Sequence, residues 1–134
     1  MITYCKIGGK VWDVIVTEIS ESFEVLHSSN TGRTLAVGAE MTLDPLGTFF
    51  THKVTIAKKK GREKEFDALW DYISTPRFSG VDVEMVHNQT SIKYKAYISK
   101  GDRKIKRIDL EADKVYWEPV TLNIVPIKAQ VIPK

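Results

Sequence analysis

The chain is short of almost everything that announces chemistry. It has one cysteine in 134 residues, Cys5, so it can build neither a disulfide framework nor a cysteine-based zinc site by itself. Met1 to Lys6 carries no signal-peptide apolar stretch, and together with the lone thiol this sets the expectation of a reducing cytosol. No apolar run approaches the ~18 residues that a membrane-crossing helix needs. The phosphate-cradling patterns G-x-x-x-x-G-K-[ST] and G-x-G-x-x-G are missing, as is the G-x-S-x-G elbow of a serine hydrolase. His27, His52 and His87 never fall at i,i+3 or i,i+4, the spacing that aims two imidazoles at one metal from a helix, and they read as strand histidines. An excess of one charge is also missing. The 20 Lys+Arg face 17 Asp+Glu, and a net +3 does not demand a nucleic-acid partner.

What is present is ordinary for a folded domain. Hydrophobic residues at 43% and charged residues at 28% exclude disordered, collagen-like and coiled-coil classes. The length fits one domain, residues 1–134, with a core that needs no staple. Isolated reactive types read as structural. Asp44, Glu84, Asp102 and Asp109 suit turns or surface positions better than a paired acid–base site, which needs two carboxyls across a cleft. Cys5 beside Lys6 reads as an inert thiol on a short strand, and Asn88-Gln89-Thr90 as a turn rather than a glycosylation site. No catalytic residue, metal or cofactor is expected, and the chain reads as a non-enzyme.

The pattern is mainly β with one helix. Tyr4 to Ile7 forms a short strand closed by Gly8-Gly9. Lys10 to Ile19 is rich in β-branched residues and apolar on both faces, which places that strand inside a sandwich, and Ser22 to His27 is a further strand. Ser28 to Thr48 is too long for a structureless loop in a compact domain. Its Asn30-Thr31-Gly32, Gly38 and Asp44-Pro45-Leu46-Gly47 are turn chemistry, with Arg33 to Val37 and Ala39 to Leu43 able to form a ribbon. It reads as a long loop or β-hairpin over about 28–47. Phe49 to Lys58 alternates, with Phe50, His52, Val54 and Ile56 on one face.

The helix covers about 63–74, because Phe66, Leu69, Trp70 and Ile73 recur at i, i+3, i+4, i+7. Pro76 stops it. Val81 to His87 and Thr90 to Ser99 alternate around Asn88-Gln89, Arg103 to Leu110 follows, and Val115 to Ile127 is a last long strand that Pro119 bulges or puts at an edge. Trp70 and Trp117 read as core anchors. The fold class is therefore α+β with β dominant: an antiparallel sandwich or barrel-like meander flanked by one helix.

Two basic clusters stand out. Lys58, Lys59, Lys60, Arg62 and Lys64 form one; Lys100, Arg103, Lys104, Lys106 and Arg107 form the other. They suit phosphate or an acidic partner. Glu63, Glu65, Asp102 and Asp109 interleave with them, and neither cluster contains the aromatics that stack on single-stranded bases.

Four stretches carry a resemblance over nearly the whole chain: Met41-Thr42-Leu43-Asp44-Pro45-Leu46-Gly47-Thr48-Phe49-Phe50, Glu65-Phe66-Asp67-Ala68-Leu69-Trp70-Asp71-Tyr72-Ile73-Ser74-Thr75-Pro76, Tyr94-Lys95-Ala96-Tyr97-Ile98-Ser99-Lys100-Gly101 and Trp117-Glu118-Pro119-Val120-Thr121-Leu122-Asn123-Ile124-Val125-Pro126. In order and context these resemble the small tail proteins of tailed bacteriophages and prophages of Gram-positive bacteria, in the tail-tube and distal-tail (baseplate-hub) superfamily.

The resemblance implies a structural virion protein. It implies a homo-oligomeric ring, a hexamer, at the tail tube or its distal end, contacts with other phage tail proteins, genomic DNA passing through the channel without sequence-specific binding, and no membrane. It places the protein in the virion tail, and in the host cytoplasm during assembly. On that reading Thr31, Gly32, Arg33, Leu35, Val37, Met41 and Leu43 form the subunit interface. Lys58, Lys59, Lys60, Arg62, Arg103, Lys104, Lys106 and Arg107 make charge contacts between rings or with partners, outside the lumen. The chain departs from a full-length distal tail protein in showing no second carbohydrate-binding or connecting domain, which leaves tube, hub and adaptor positions open. Two other readings fit the same residues: a monomeric module binding glycan or protein, and a DNA-contacting head–tail connector.

Overall fold

The computed structural model describes residues 5–35, 37–98 and 100–134. The elements run β1 (Cys5–Ile7), β2 (Ile15–His27), β3 (Gly32–Arg33), β4 (Met41–Thr42), β5 (Pro45–Ala57), α1 (Glu63–Ser74), β6 (Val81–His87), β7 (Thr90–Tyr97), β8 (Ile105–Asp109), β9 (Lys114–Trp117) and β10 (Val120–Pro126). Six strands make one open antiparallel sheet in the order β1-β6-β7-β10-β5-β2, while β3–β4 and β8–β9 are two-stranded ribbons. The expected mainly β, antiparallel architecture with a single helix is the one adopted.

The sheet is strongly curled. Four steps of strand spacing separate β6 from β2 in the order, about 19 Å if the sheet were flat. Yet Nδ1 of His87 on β6 lies 2.7 Å from Oε2 of Glu21 on β2. β10 makes the corner, pairing with β5 over Val120 to Ile124 and with β7 at Val125 and Pro126. The two halves so brought face to face enclose the core: Val54 and Ile56, Val83 and Met85, Ala96, Leu122 and Ile124, with Ile7 from β1. These are the inward positions of the alternation in β5, β6, β7 and β10.

α1 adds Phe66 and Leu69 to the same core, with Trp70 and Ile73 packed half-buried against it. Glu63 and Glu65 in its first turn favour the helix dipole. Thr75 is already extended, as a residue before proline must be. Arg77 then donates to the Tyr72 and Thr75 carbonyls and lies 3.9 Å over the Tyr72 ring, satisfying the helix end. Gly80 allows the chain to turn back. Its φ is +77°, and a Cβ there would sit 2.6 Å from the Ala96 carbonyl oxygen.

Several sequence expectations are corrected. Lys10 to Val14 is not strand: Trp12 Nε1 donates to the Ile7 carbonyl at 3.0 Å, and Asp13 binds Lys59 and Arg62, which pulls this loop to the start of the helix. Ser20 and Glu21 do not interrupt anything, because Ile15 to His27 is one strand paired along β5. That strand is not inside a sandwich; it is an edge of the sheet, and most of its residues are exposed. Pro119 does not bulge a long strand but divides it, leaving β9 in the ribbon and β10 in the sheet. Tyr4, Ser99 and Ala36, which the sequence puts in strands, lie outside the described residues.

Candidate interaction surfaces

The β2–β5 pair forms an arm that outruns the core. Side chains opposite each other in an antiparallel pair share a face. Val16, Ile19, Glu21 and Phe23 lie opposite Ile56, Val54, His52 and Phe50, so all point inward. On this face full burial stops at His52. One rung further Phe23 is 70% exposed, and Val25 after it is also exposed. The arm thus carries a core-type face with no core beneath it.

The arm ends in the β3–β4 ribbon, a hairpin within the long segment expected at 28–47, with Gly32 opposite Thr42 and Arg33 opposite Met41. Its base is cinched by Asp44. The Ser28 hydroxyl donates to the carboxylate, Asn30 Nδ2 reaches the same oxygen, and the Asp44 N–H donates to Thr31 Oγ1 at 2.7 Å. The Ser28 and Asn30 hydrogen bonds hold the Asp44 carboxyl below the usual carboxylate range. Of the residues expected at a subunit contact, Thr31 and Gly32 are half-buried, while Arg33, Met41 and Leu43 are exposed and Leu35 and Val37 fully so. The C-terminal segment straps the other edge of β5, where Thr48 N–H donates to the Val131 carbonyl at 2.9 Å and Phe50 N–H to Gln130 Oε1 at 3.0 Å. Among the described residues no strand pairs with the outer edge of β2.

A polar seam closes the root of the arm. His52, fully buried on β5, has Nε2 2.9 Å from Glu21 Oε2 and 3.2 Å from the Val86 carbonyl, and Nδ1 2.7 Å from the Tyr94 hydroxyl. Two acceptors face Nε2, so it carries the proton and Nδ1 accepts from Tyr94. His87 shares the same Glu21 oxygen, and its ring packs on Phe50 at 4.8 Å. Burial pushes the His52 pKa down and the Tyr94 pKa up, so both groups are neutral partners. The sequence pointed to His52 only through its place between Phe50 and Val54 on the inward face; Glu21 and His87 had no sequence signal.

The two basic clusters converge at Tyr116 on β9. Lys58 Nζ lies 4.0 Å over its ring and the Arg107 guanidinium 4.3 Å, so the aromatic that neither cluster contains is supplied from elsewhere in the chain. Three expected partner cations are matched internally. Lys59 Nζ and Arg62 Nε bind Asp13 at 3.1 and 2.6 Å. Arg103 binds Asp67 at 3.1 Å and lies 3.9 Å from the Trp117 ring and 4.8 Å from that of Trp70, fastening the ribbon to α1. Lys60, Lys104, Lys106 and Arg107 are exposed.

A cleft of about 470 Å³ opens beside the C-terminal end of α1, between Trp70, Ile73, Pro76 and Tyr97, with Arg77 and Lys100 among its lining. Sequence spacing gave no sign of it, because its walls come from the helix, the loop after it and the end of β7.

Cys5 is half-buried and its thiol is pushed up to about 11 by burial, which makes it a poor nucleophile. Asp109 accepts the backbone N–H groups of Glu111 and Ala112, and Glu84 lies 3.7 Å from Lys93 across the β6–β7 pair. Among the described residues no group of three His, Cys, Asp or Glu is disposed to hold a metal ion, and no helix is long and apolar enough to cross a membrane. No family model, curated protein or solved structure matches the chain.

Proposed function

We propose that this chain is a non-catalytic structural protein of a bacteriophage tail, forming a ring with copies of itself in the tail tube or at its distal end, around the path of the DNA. The observation that carries the reading is the arm. Phe23 and Val25 continue the inward face past the core, and Leu35 and Val37 stand fully exposed at the hairpin. Apolar surface of this kind marks an interaction site. The outer edge of the 13-residue strand β2, which no strand covers among the described residues, adds backbone groups that a neighbouring subunit can pair with. Head-to-tail contacts that close on themselves satisfy every such surface at once. The sheet with one docked helix, and the hairpin at the position the resemblance requires, support the same reading. The other tail proteins are its partners, and the virion tail its location.

The test is a mass measurement. Light scattering coupled to size exclusion, with negative-stain micrographs, should find closed rings at micromolar to millimolar concentration. A monomer at every concentration, with no rings in the micrographs, would favour a monomeric binding module instead.

A further inference from the structure

We propose that the acidic turn between β8 and β9 of one subunit seats in the cleft beside the C-terminal end of α1 of the next. The proposal rests on the ring reading and gives it a specific contact. Leu110, at the start of this turn, is 87% exposed, so it does not occupy its own chain's cleft. Exposed Glu111 and Asp113 follow it. The turn is already ordered, since the Asp109 carboxylate accepts the N–H groups of Glu111 and Ala112 at 3.2 and 3.1 Å. A preordered turn loses little entropy on docking.

The cleft has the complementary chemistry. Its walls are Trp70, Ile73, Pro76 and Tyr97, and its charged lining residues, Arg77 and Lys100, are both cations. Arg77 is held in place by the Tyr72 ring and by carbonyls, which hydrogen-bond the guanidinium without cancelling its charge. An apolar knob flanked by two carboxylates matches an apolar slot flanked by two cations. The hairpin that carries Leu35 and Val37 offers Arg33 and Glu40, charges that oppose each other, and is a poorer match. Knob and slot are different patches, so the contact is head-to-tail, the type that generates rings. Charge pairs at its rim fix register.

The experiment uses the whole chain and three variants. Lys100→Glu alters the slot. Glu111→Lys with Asp113→Asn alters the knob, and asparagine tolerates the left-handed φ of +52° at 113. The third variant combines all three changes. Circular dichroism melting should be unchanged in each, because these side chains are exposed. Scattering should show each half-altered protein needing about tenfold more protein to assemble. The combined variant should recover most of the loss. Rings that form unchanged in both half-altered variants overturn this contact and leave the ring reading standing. Loss of assembly without recovery in the combined variant also overturns it. A wild-type chain that never assembles overturns the ring reading itself.

Discussion

Nε2 of His52 lies 2.9 Å from Oε2 of Glu21, and this one contact ties the edge strand β2 to the interior of the curled sheet. Its consequence is a pH profile. His52 is pushed down first by burial, with the Glu21 charge opposing, so its folded pKa lies below the ordinary 6.5. Above 6.5 the imidazole is neutral in both states and its contribution to stability is complete. Below it the unfolded chain takes up a proton that the fold resists, and stability falls. On the alkaline side Cys5 is raised from 9.0 to about 11 and Tyr94 is raised from 10.0, so the fold keeps protons that the unfolded chain releases. Urea midpoints should therefore be flat between 6.5 and 9.0 and fall on both sides. His52→Gln should flatten the acid limb. A wild-type midpoint unchanged down to about pH 5 would refute the assignment.

Helix docking is tested at Trp70, which packs against the core and under the Arg103 guanidinium. Trp70→Ala should cost about 3 kcal/mol, the low end for a large aromatic because this one is half-buried. Arg103→Ala should cost about 1 kcal/mol through the lost ring contacts. The double variant should lose less than the sum, since the two share a contact. An unchanged melting temperature for Trp70→Ala would show that the helix is not held this way.

The ribbon at the end of the arm can be removed without touching the core. Deleting Thr31 to Leu43 takes away the β3–β4 ribbon, while the paired part of β2 and β5 beneath it is kept. Melting should be nearly unchanged and rings should be lost. If the shortened protein still assembles, the subunit contact lies elsewhere.

DNA that slides through a ring must not stick. With Lys59, Arg62 and Arg103 matched by Asp13 and Asp67, the two basic clusters hold fewer unmatched cations to grip phosphate than the sequence suggests. Binding of duplex DNA should be weak, with a slope of log affinity against log salt no steeper than about −2. A steep slope, or a ring structure with Lys104, Lys106 and Arg107 in the central channel, would favour a DNA-contacting connector.

The sequence determined whatever depends on periodicity and local sterics. The helix at Glu63–Ser74 is bounded by its apolar spacing and by Pro76, the inward faces of β5, β6 and β7 follow from alternation, and the turn residues Asn30, Gly32, Gly38 and Asp44 left a long loop or a hairpin open, of which the structure pairs only Gly32–Arg33 with Met41–Thr42. Only the tertiary structure decided what depends on which elements meet. An apolar, β-branched strand reads the same whether it is interior or edge, so the place of β2 waited on the sheet order. Long-range pairing brought Glu21, His52 and His87 together from three strands, put Tyr116 between two clusters far apart in the chain, and set Arg103 against Trp70 and Trp117. The cleft at Trp70 and Tyr97 belongs to the same class, because a concave surface is a property of packed elements and no single segment encodes it.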